Sequence, residues 1–339
     1  MGETRTALVT GSAGFIGYHL SRRLLADGFT VIGIDSLSDY YDPDLKRRRQ
    51  ATLMQSAGFS AINQPIETPG LLADLFAEHR PNIVVHLAAQ AGVRYSIDNP
   101  RSYLESNLVG TFELLEAARA HPPQHMLLAS TSSAYGANTE MPYRETMKAD
   151  HQMSFYAATK KATEAMAHSY AHLFGLPVTM FRFFTVYGPW GRPDMALFKF
   201  TRAILEGAPL PVYNHGDMSR DFTYIDDIVE GVVRVLDVIP DGHPEWPDEA
   251  MVPDSGRAPI ALYNIGHGSP VALMDFVRAI ESATGCTAQC DYQPMQPGDV
   301  PRTWADTEAL FAVTGYRPAV GVEEGVARFV AWYRDFYQV

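Results

Sequence analysis

The segment Thr6-Ala-Leu-Val-Thr10-Gly-Ser-Ala-Gly14-Phe-Ile-Gly17, near the start of the chain, decides the fold. Its first five residues form a short apolar run typical of a strand, and a helical pattern follows from Tyr18 to Asp27. Glycines at this spacing let the main chain turn tightly and approach a pyrophosphate at a helix N-terminus, where free N–H groups favour negative charge. The segment therefore predicts a nucleotide-binding unit, although a glycine-rich turn of purely structural role has the same spacing.

A second predicted strand, Thr30-Val-Ile-Gly-Ile34, ends in Asp35. An acid at this point is placed to accept hydrogen bonds from the hydroxyls of an adenosine ribose and to repel a 2′-phosphate. Strand, glycines, helix and acid occur in the order that such a site needs. Together they favour NAD over NADP as the cofactor.

Apolar runs of strand length then alternate with segments of helical periodicity. The predicted elements are strands over 83–89, 125–129 and 177–183 and helices over 102–120 and 156–174. This alternation predicts an α/β fold, a Rossmann-type doubly wound parallel sheet with helices on both faces.

The chain changes in character after Gly188, where Pro, Gly and aromatic residues become frequent. We expect an NAD-binding domain over residues 1–185, with segments that return to it near 221–238 and 260–266. A smaller, interleaved C-terminal lobe that binds the substrate is expected over residues 186–339.

Composition limits the possible partners. The chain has 339 residues, a hydrophobic content of 46% and a formal net charge of −12. The charge argues against nucleic acid or an anionic membrane surface as the main partner, because both need a basic footprint.

No apolar run approaches membrane-spanning length and no signal-peptide pattern is present, so we expect a cytoplasmic protein. Cys286 and Cys290, the only cysteines, lie far from any His cluster, so no metal site is predicted.

Tyr156 and Lys160 form the candidate catalytic pair. The spacing Tyr-Ala-Ala-Thr-Lys puts a phenol and an ammonium one turn apart on one helix face. A free Tyr titrates near about pH 10, and a nearby positive charge stabilises the phenolate and lowers that pKa. Tyr156 is therefore a candidate general base for an alcohol that loses hydride, and Lys160 is a candidate for the stabilising charge. An exposed Tyr and Lys on an ordinary amphipathic helix would give the same pattern.

Several longer strings resemble the nucleotide-sugar epimerases of the extended short-chain dehydrogenase/reductase family, and the resemblance covers nearly the whole chain. The strings are Asp39-Tyr-Tyr-Asp-Pro43, Gln90-Ala-Gly-Val-Arg-Tyr95, Tyr156-Ala-Ala-Thr-Lys-Lys-Ala162, Arg182-Phe-Phe-Thr-Val-Tyr-Gly-Pro-Trp-Gly-Arg-Pro-Asp-Met-Ala196, Arg220-Asp-Phe-Thr-Tyr-Ile-Asp226 and Met295-Gln-Pro-Gly-Asp299.

The resemblance implies a tightly held NAD, a UDP-sugar substrate and a homodimer. It also implies that Thr131 and Tyr156 contact the sugar O4 and that Lys160 holds the nicotinamide ribose. Arg220 is implied to contact the diphosphate, where an exposed surface cation is the alternative interpretation. Further substrate contacts are implied for Arg94, Arg192 and Asp299.

The predicted NAD contacts are Gly11, Gly14, Phe15, Ile16, Gly17, Asp35, Ile66, Leu87, Ala88, Ala89, Gln90, Tyr156 and Lys160. In one respect the chain departs from the family. Relatives commonly have an Asp beside the adenine where this chain has Pro65, so the adenine contact is expected from the main chain of Ile66.

The residues after Thr131 bear on the substrate. Family dehydratases have acids there, and the decarboxylases that make UDP-xylose have a Glu, whereas this chain has Ser132 and Ser133. Together with Thr185, these hydroxyls are candidates to hold a carboxylate. The expected activity is reversible C4 epimerisation of UDP-glucuronate to UDP-galacturonate through a 4-keto intermediate.

Three alternatives remain at this point. A neutral UDP-hexose 4-epimerase would share the fold, the cofactor and the Tyr-Lys pair. A UDP-glucuronate decarboxylase or a dehydratase would share them too, but the missing acid after Thr131 counts against both. A catalytically silent NAD-binding regulator would not need Tyr156 and Lys160.

Overall fold

Short runs of apolar and β-branched residues form the strands of the computed structural model, which describes residues 4–242, 256–296 and 298–339. The strands are β1 (Thr6–Thr10), β2 (Thr30–Ile34), β3 (Phe59–Ile62), β4 (Ile83–His86), β5 (His125–Thr131), β6 (Val178–Phe183), β7 (Thr185–Tyr187), β8 (Pro209–Val212), β9 (Ser219–Tyr224), β10 (Ile260–Ile265), β11 (Pro270–Ala272) and β12 (Gln289–Tyr292).

Seven of these strands form one parallel sheet in the order β3-β2-β1-β4-β5-β6-β10. Ala7 and Val9 belong to one buried apolar cluster and Leu8 belongs to another, so apolar side chains cover both faces of the sheet. The chain moves outward from β1 to β2 on one side, while β4 lies on the other side of β1. Ligands of such folds bind outside the carboxyl ends of the strands at this switch in order. The predicted Rossmann-type α/β fold is confirmed.

Twelve α-helices cover the sheet and build the rest of the described chain. They are α1 (Phe15–Ala26), α2 (Pro43–Leu53), α3 (Leu71–His79), α4 (Tyr95–Asp98), α5 (Pro100–Tyr103), α6 (Gly110–Ala120), α7 (Phe155–Phe174), α8 (Ala196–Glu206), α9 (Ile225–Val235), α10 (Leu273–Thr284), α11 (Glu308–Thr314) and α12 (Val322–Tyr337). In the described ranges no helix has both the length and the apolar character that a membrane crossing requires.

The segment over 102–120, predicted as one helix, is divided in the structure. Helix α5 ends at Tyr103, residues Leu104–Val109 form a π-helical turn, and α6 begins at Gly110. π-Helical turns are rare and frequently lie at functional sites. The segment is therefore helical as predicted, with a π-helical turn instead of regular α-helix over these six residues.

The C-terminal part adds two small sheets. Strand β9 pairs with β7 in parallel and with β11 in antiparallel orientation, and β12 pairs with β8 in parallel. Two C-terminal segments return to the large sheet: β10 pairs with β6, and Glu230 of α9 accepts a 2.6 Å hydrogen bond from Arg23 of α1. One apolar cluster joins Val9 of β1 to Phe198 of α8 and Phe276 of α10, so the two parts share a core.

Candidate active site

The glycine-rich loop between β1 and α1 provides a cradle of main-chain atoms. Gly11 has a φ of +71°, and its N–H donates to the Ile34 carbonyl at 2.7 Å. A Cβ added at Gly17 would lie 2.0 Å from the Gly11 carbonyl oxygen. Gly14 is the N-cap of α1 and makes no side-chain cap, so the first N–H groups of the helix remain available to an anion. These features fit the pyrophosphate of a dinucleotide.

Asp35 lies directly after β2 and its carboxylate is held by the main chain. Oδ2 accepts a hydrogen bond from the Ala13 N–H at 3.0 Å, and Oδ1 accepts one from the Leu37 N–H at 2.9 Å. Each carboxylate oxygen keeps a lone pair for a ribose hydroxyl. The position and charge of Asp35 fit NAD and disfavour a 2′-phosphate.

The segment after β4 lies against the same loop. The N–H groups of Leu87 and Ala88 donate to Thr10 Oγ1 at 3.2 and 3.1 Å. A Cβ added at Gly11 would lie 2.8 Å from the Ala88 nitrogen, so only glycine allows this approach. Ile66, predicted beside the adenine, is buried and packs against Gly110 of α6.

Asn107 joins this segment to the helix that carries Tyr156. From the π-helical turn, it accepts a hydrogen bond from the Gln90 N–H at 2.8 Å and donates to the Gln90 carbonyl at 3.1 Å. It also donates to Thr159 Oγ1 on α7 at 3.0 Å. Sequence analysis missed Asn107 because a polar residue in a predicted helix gives no signal of such a role.

Thr131 and Tyr156 meet at the carboxyl end of the sheet. Thr131 is the last residue of β5, and hydrogen bonding by its hydroxyl lowers the pKa of Tyr156, which lies in the first turn of α7. Burial raises the pKa of Tyr156, while this hydrogen bond and the positive charge of Arg192 act in the opposite direction.

The sequence-based expectation that Lys160 lowers the pKa of Tyr156 stays a prediction. Burial disfavours the phenolate and raises that pKa, and Arg192 is a cation that opposes the effect of burial.

Lys160 is buried one turn further along α7. Burial lowers its pKa to about 8, and the nearby carboxylate of Glu164 partly opposes this effect. His86, at the end of β4, is fully enclosed, and burial together with the charge of Lys160 lowers its pKa to about 3. His86 is therefore neutral at pH 7, and Lys160 is the titratable cation on this side of the site.

Glu164 fixes α7 against the end of β5. It accepts hydrogen bonds from Arg182 Nε and Nη2 at 2.9 and 2.8 Å and from Ser130 Oγ at 2.6 Å. Burial alone would raise the pKa of Glu164, but the contacts with Arg182 outweigh burial and lower it to about 2. Because Ser130 directly precedes Thr131, this cluster keeps Thr131 next to Tyr156.

The three hydroxyls predicted to hold a carboxylate lie on two neighbouring segments. Ser132 and Ser133 form a 3-10 turn directly after Thr131, and the Ser133 N–H donates to Thr131 Oγ1 at 3.2 Å. Thr185 begins β7 and lines a cavity together with Arg192.

Arg94, Arg220 and Asp299 come from three distant segments and form one cluster. Arg94 Nη2 lies 2.8 Å from Asp299 Oδ2. Arg220, on β9, donates to the Pro301 carbonyl at 3.0 Å. Burial lowers the pKa of Arg220, the charge of Asp299 opposes this and the charge of Arg94 adds to it. Two guanidinium groups at one position suit a diphosphate, which Arg binds by paired charge-assisted hydrogen bonds.

Arg192 forms a separate cluster with Asp194 and Tyr40. Its Nε and Nη2 lie 3.0 and 2.5 Å from the two carboxylate oxygens of Asp194, and the Tyr40 hydroxyl donates to Oδ2 at 3.0 Å. Burial and the charge of Asp194 raise the pKa of Tyr40 to about 12. Tyr40 and Asp194 lie within strings that carry the family resemblance, but the sequence alone gave them no role.

No group of three or more His, Cys, Asp or Glu side chains in the described ranges is arranged to hold a metal ion.

Comparison with known sequences shows similarity over almost the whole chain. A sequence model of the NAD dependent epimerase/dehydratase family matches residues 7–245. A protein of Rhizobium meliloti (strain 1021) named "Probable UDP-glucuronate 4-epimerase" is 53% identical over 98% of this chain and 97% of its own length.

Two solved structures are also similar to this chain over almost its whole length. A crystal structure of UDP-glucuronic acid 4-epimerase from Bacillus cereus, in complex with UDP-glucuronic acid and NAD, is 30% identical over 98% of this chain and 100% of that chain, with a TM-score of 0.87. A UDP-glucose 4-epimerase from Thermotoga maritima, solved with UDP-glucose, is 29% identical over 98% of this chain and 99% of that chain, with a TM-score of 0.83.

Proposed function

Because this chain belongs to the NAD dependent epimerase/dehydratase family, we propose that it interconverts UDP-glucuronate and UDP-galacturonate by epimerisation at C4. The observation that carries the proposal is the meeting of Thr131 and Tyr156 at the carboxyl end of the sheet, directly beside the Ser132-Ser133 turn. This arrangement supports Tyr156 as the proton acceptor for an alcohol, with the hydroxyl groups of Ser132 and Ser133 beside it to bind a carboxylate.

The cofactor of this reaction is NAD. The main-chain cradle of the glycine-rich loop supports its binding, and the carboxylate of Asp35 supports its selection over NADP. The proposed contacts are Gly11, Gly14, Phe15, Ile16, Gly17, Asp35, Ile66, Leu87, Ala88, Ala89, Gln90, Tyr156 and Lys160.

Tyr156 takes the proton of the sugar O4 and later returns it, and Thr131 shares the hydrogen bond to that oxygen. Bound NAD, held by the glycine-rich loop and Lys160, would supply a hydride acceptor for C4 and a hydride donor to the opposite face of the 4-keto sugar. Because burial raises the pKa of Tyr156, the phenolate depends on positive charge near it. Arg192 supplies such a charge, and Lys160 holds the nicotinamide ribose.

The nucleotide must stay bound while the 4-keto sugar turns. Arg220 and Arg94 hold the diphosphate, and Asp299 orients Arg94 through their 2.8 Å ion pair. Anchoring at the diphosphate leaves the sugar free to present either face of C4 to the cofactor.

The 4-keto intermediate of a uronate is a β-keto acid and loses CO₂ easily when the bond from C5 to the carboxylate stands perpendicular to the ketone. Ser132, Ser133 and Thr185 hold the carboxylate out of that alignment by donating hydrogen bonds to it. These donors favour epimerisation over decarboxylation.

An epimerase of neutral UDP-hexoses is the second candidate. The structural likeness to the Thermotoga maritima enzyme with UDP-glucose supports it, while the identity of 53% to the Rhizobium meliloti relative supports the uronate. The two candidates differ in the role of the three hydroxyls, which only a carboxylate requires.

We also propose that the chain acts as a homodimer in the cytoplasm. Apolar side chains are exposed on one face built from the π-helical turn, α6 and the end of α7. They are Leu104, Val109, Phe112, Leu173 and Phe174, with exposures of 38%, 39%, 46%, 65% and 40%. A second copy that covers this face would remove it from water. Light scattering of the purified protein tests the dimer, and a monomer at micromolar concentration would contradict it.

The activity is tested by incubating the purified protein with UDP-glucuronate or with UDP-glucose and separating the products. We expect UDP-galacturonate as the main product and a much lower kcat/KM for UDP-glucose. Denaturation of the same preparation should release NAD and no NADP. A preference for UDP-glucose would favour the second candidate, and release of mostly NADP would contradict the role of Asp35.

A further inference from the structure

Side chains of α1 and α2 donate hydrogen bonds to the loop that precedes Arg192. The carbonyls of three consecutive residues all accept hydrogen bonds from such side chains. His19 Nε2 of α1 lies 2.9 Å from the Pro189 oxygen, and Arg49 Nη2 of α2 lies 2.5 and 3.2 Å from the Trp190 and Gly191 oxygens. Burial lowers the pKa of His19 to about 3, so its neutral ring serves here as a hydrogen-bond donor.

Trp190 needs such support because of its main-chain conformation. Its φ of +62° lies in the left-handed region, which an aromatic residue adopts only at a cost in free energy. The hydrogen bond from Arg49 to the Trp190 carbonyl stabilises this conformation. The loop therefore depends on Arg49 for its shape.

Arg49 reaches the glycine-rich loop with its other nitrogen. Nη1 donates to the Ala13 carbonyl and to the Tyr41 hydroxyl, both at 2.9 Å. The side chain is fully buried, and within the described ranges its hydrogen bonds go to neutral oxygen acceptors. Burial of a guanidinium among neutral oxygen acceptors is costly, so core packing alone does not explain an Arg at this position.

The loop ends at a residue that acts on Tyr156. Arg192 directly follows Gly191, and its charge lowers the pKa of the phenol. We propose that Arg49 is a positioning residue, which fixes Arg192 relative to the glycine-rich loop and so couples the cofactor site to the electrostatics of Tyr156. The inference rests on the proposed function, in which Tyr156 is the base.

In the described chain, the charged or titratable groups nearest Tyr156 come from three segments, so a shift in its titration can be assigned. Arg192 comes from the loop after β7, Lys160 lies on the same helix, and the ring of Tyr103 of α5 lies 6.0 Å away. Arg192 lowers the pKa of Tyr156. Displacement of Arg192 must therefore raise that pKa and move the acidic limb of the rate profile to higher pH.

The test is a double-mutant cycle on NAD-loaded enzyme with Arg49→Met, Arg192→Met and the combined variant, measured as kcat against pH. We expect Arg49→Met to lower kcat at pH 7 about tenfold and to move the acidic limb upward by about one pH unit, in the same direction as Arg192→Met. The combined variant should show no further shift beyond Arg192→Met alone, because Arg49 acts through Arg192.

Two further variants separate positioning from charge. Arg49→Lys keeps the positive charge but lacks the forked group that reaches Ala13 and Trp190 together, so it should shift the limb as Arg49→Met does. Arg47→Met removes a charge from the exposed face of the same helix and should leave the profile unchanged. An unshifted limb in Arg49→Met, or additive shifts in the combined variant, would overturn the proposal.

A measurement that does not depend on turnover can test the role of Arg49 even if the proposed function is wrong. Ultraviolet absorbance follows ionisation of the Tyr156 phenol as the difference between each variant and the same variant with Tyr156→Phe. A raised pKa in Arg49→Met, with an unchanged melting temperature, supports positioning even if UDP-glucuronate is not the substrate. An unchanged pKa with a lowered melting temperature would leave Arg49 a purely structural role.

Discussion

The cofactor side and the substrate side of the site are built in different ways. The cofactor side uses twelve consecutive residues, Thr6 to Gly17, together with the acid that ends the next strand. Its contacts are mainly main-chain groups and close approaches that only glycine allows. The substrate side uses charged and hydroxyl side chains from distant segments, such as Arg94 and Asp299, which are 205 residues apart in the chain.

This difference determines how each side responds to substitution. A main-chain cradle is disturbed by adding atoms, because its function depends on space. A cluster of side chains is disturbed by removing single groups, because its function depends on charge and hydrogen bonds. We therefore expect substitutions on the two sides to separate cofactor binding from turnover.

The largest effect is expected from Tyr156→Phe. The variant keeps the ring and removes the proton acceptor, so kcat should fall by about 10²–10⁴, the usual scale for general-base catalysis. NAD content after desalting should equal that of the wild type, because the glycine-rich loop is unchanged. Near-normal turnover would contradict the assignment, and loss of NAD would show that the two sides are not separable.

Gly17→Ala tests the cofactor side. The added Cβ would lie 2.0 Å from the Gly11 carbonyl oxygen, so the loop must shift. We expect a loss of about 3 kcal/mol in NAD affinity, or roughly 150-fold in Kd, with little change in kcat once NAD is saturating.

Gly321→Ala is the matched control for this substitution. Gly321 has a φ of −69°, and the nearest atom to an added Cβ is 3.8 Å away. NAD binding by this variant, measured by calorimetry on the cofactor-free protein, should match that of the wild type. An equal loss of NAD affinity in both glycine variants would mean that the loss does not come from crowding within residues 11–17.

The smallest effect is expected from Thr185→Val, which keeps the shape of the side chain and removes the hydroxyl. One hydrogen bond to a charged group contributes about 1.5 kcal/mol at the lower end of its range, so the preference for UDP-glucuronate over UDP-glucose should fall about tenfold. Mass spectrometry should also detect more of the decarboxylated 4-keto-pentose nucleotide. An unchanged preference without added pentose would remove Thr185 from the carboxylate site.

The fold was largely predictable because its signals are local. Strands β1 and β2 occur at the predicted residues, and α1 begins three residues earlier than predicted because Gly14, and not Gly17, is its N-cap. The strand predicted over 83–89 ends at His86, since the main chain then turns toward Thr10. The residues of α2 escaped prediction, because its basic run is typical of an exposed helix face and gives no sign that Arg49 is buried.

The sequence by itself determined the doubly wound sheet, the dinucleotide cradle and the Tyr156–Lys160 pair, because each depends on residues a few positions apart. Only the tertiary structure decided that the charge of Arg192 acts on Tyr156, how Arg94, Arg220 and Asp299 meet, and that Asn107 and Arg49 tie distant loops together. The physical reason is that a charge acts through distance in space and through burial. Both are set by the packing of segments far apart in the chain, which no local pattern records.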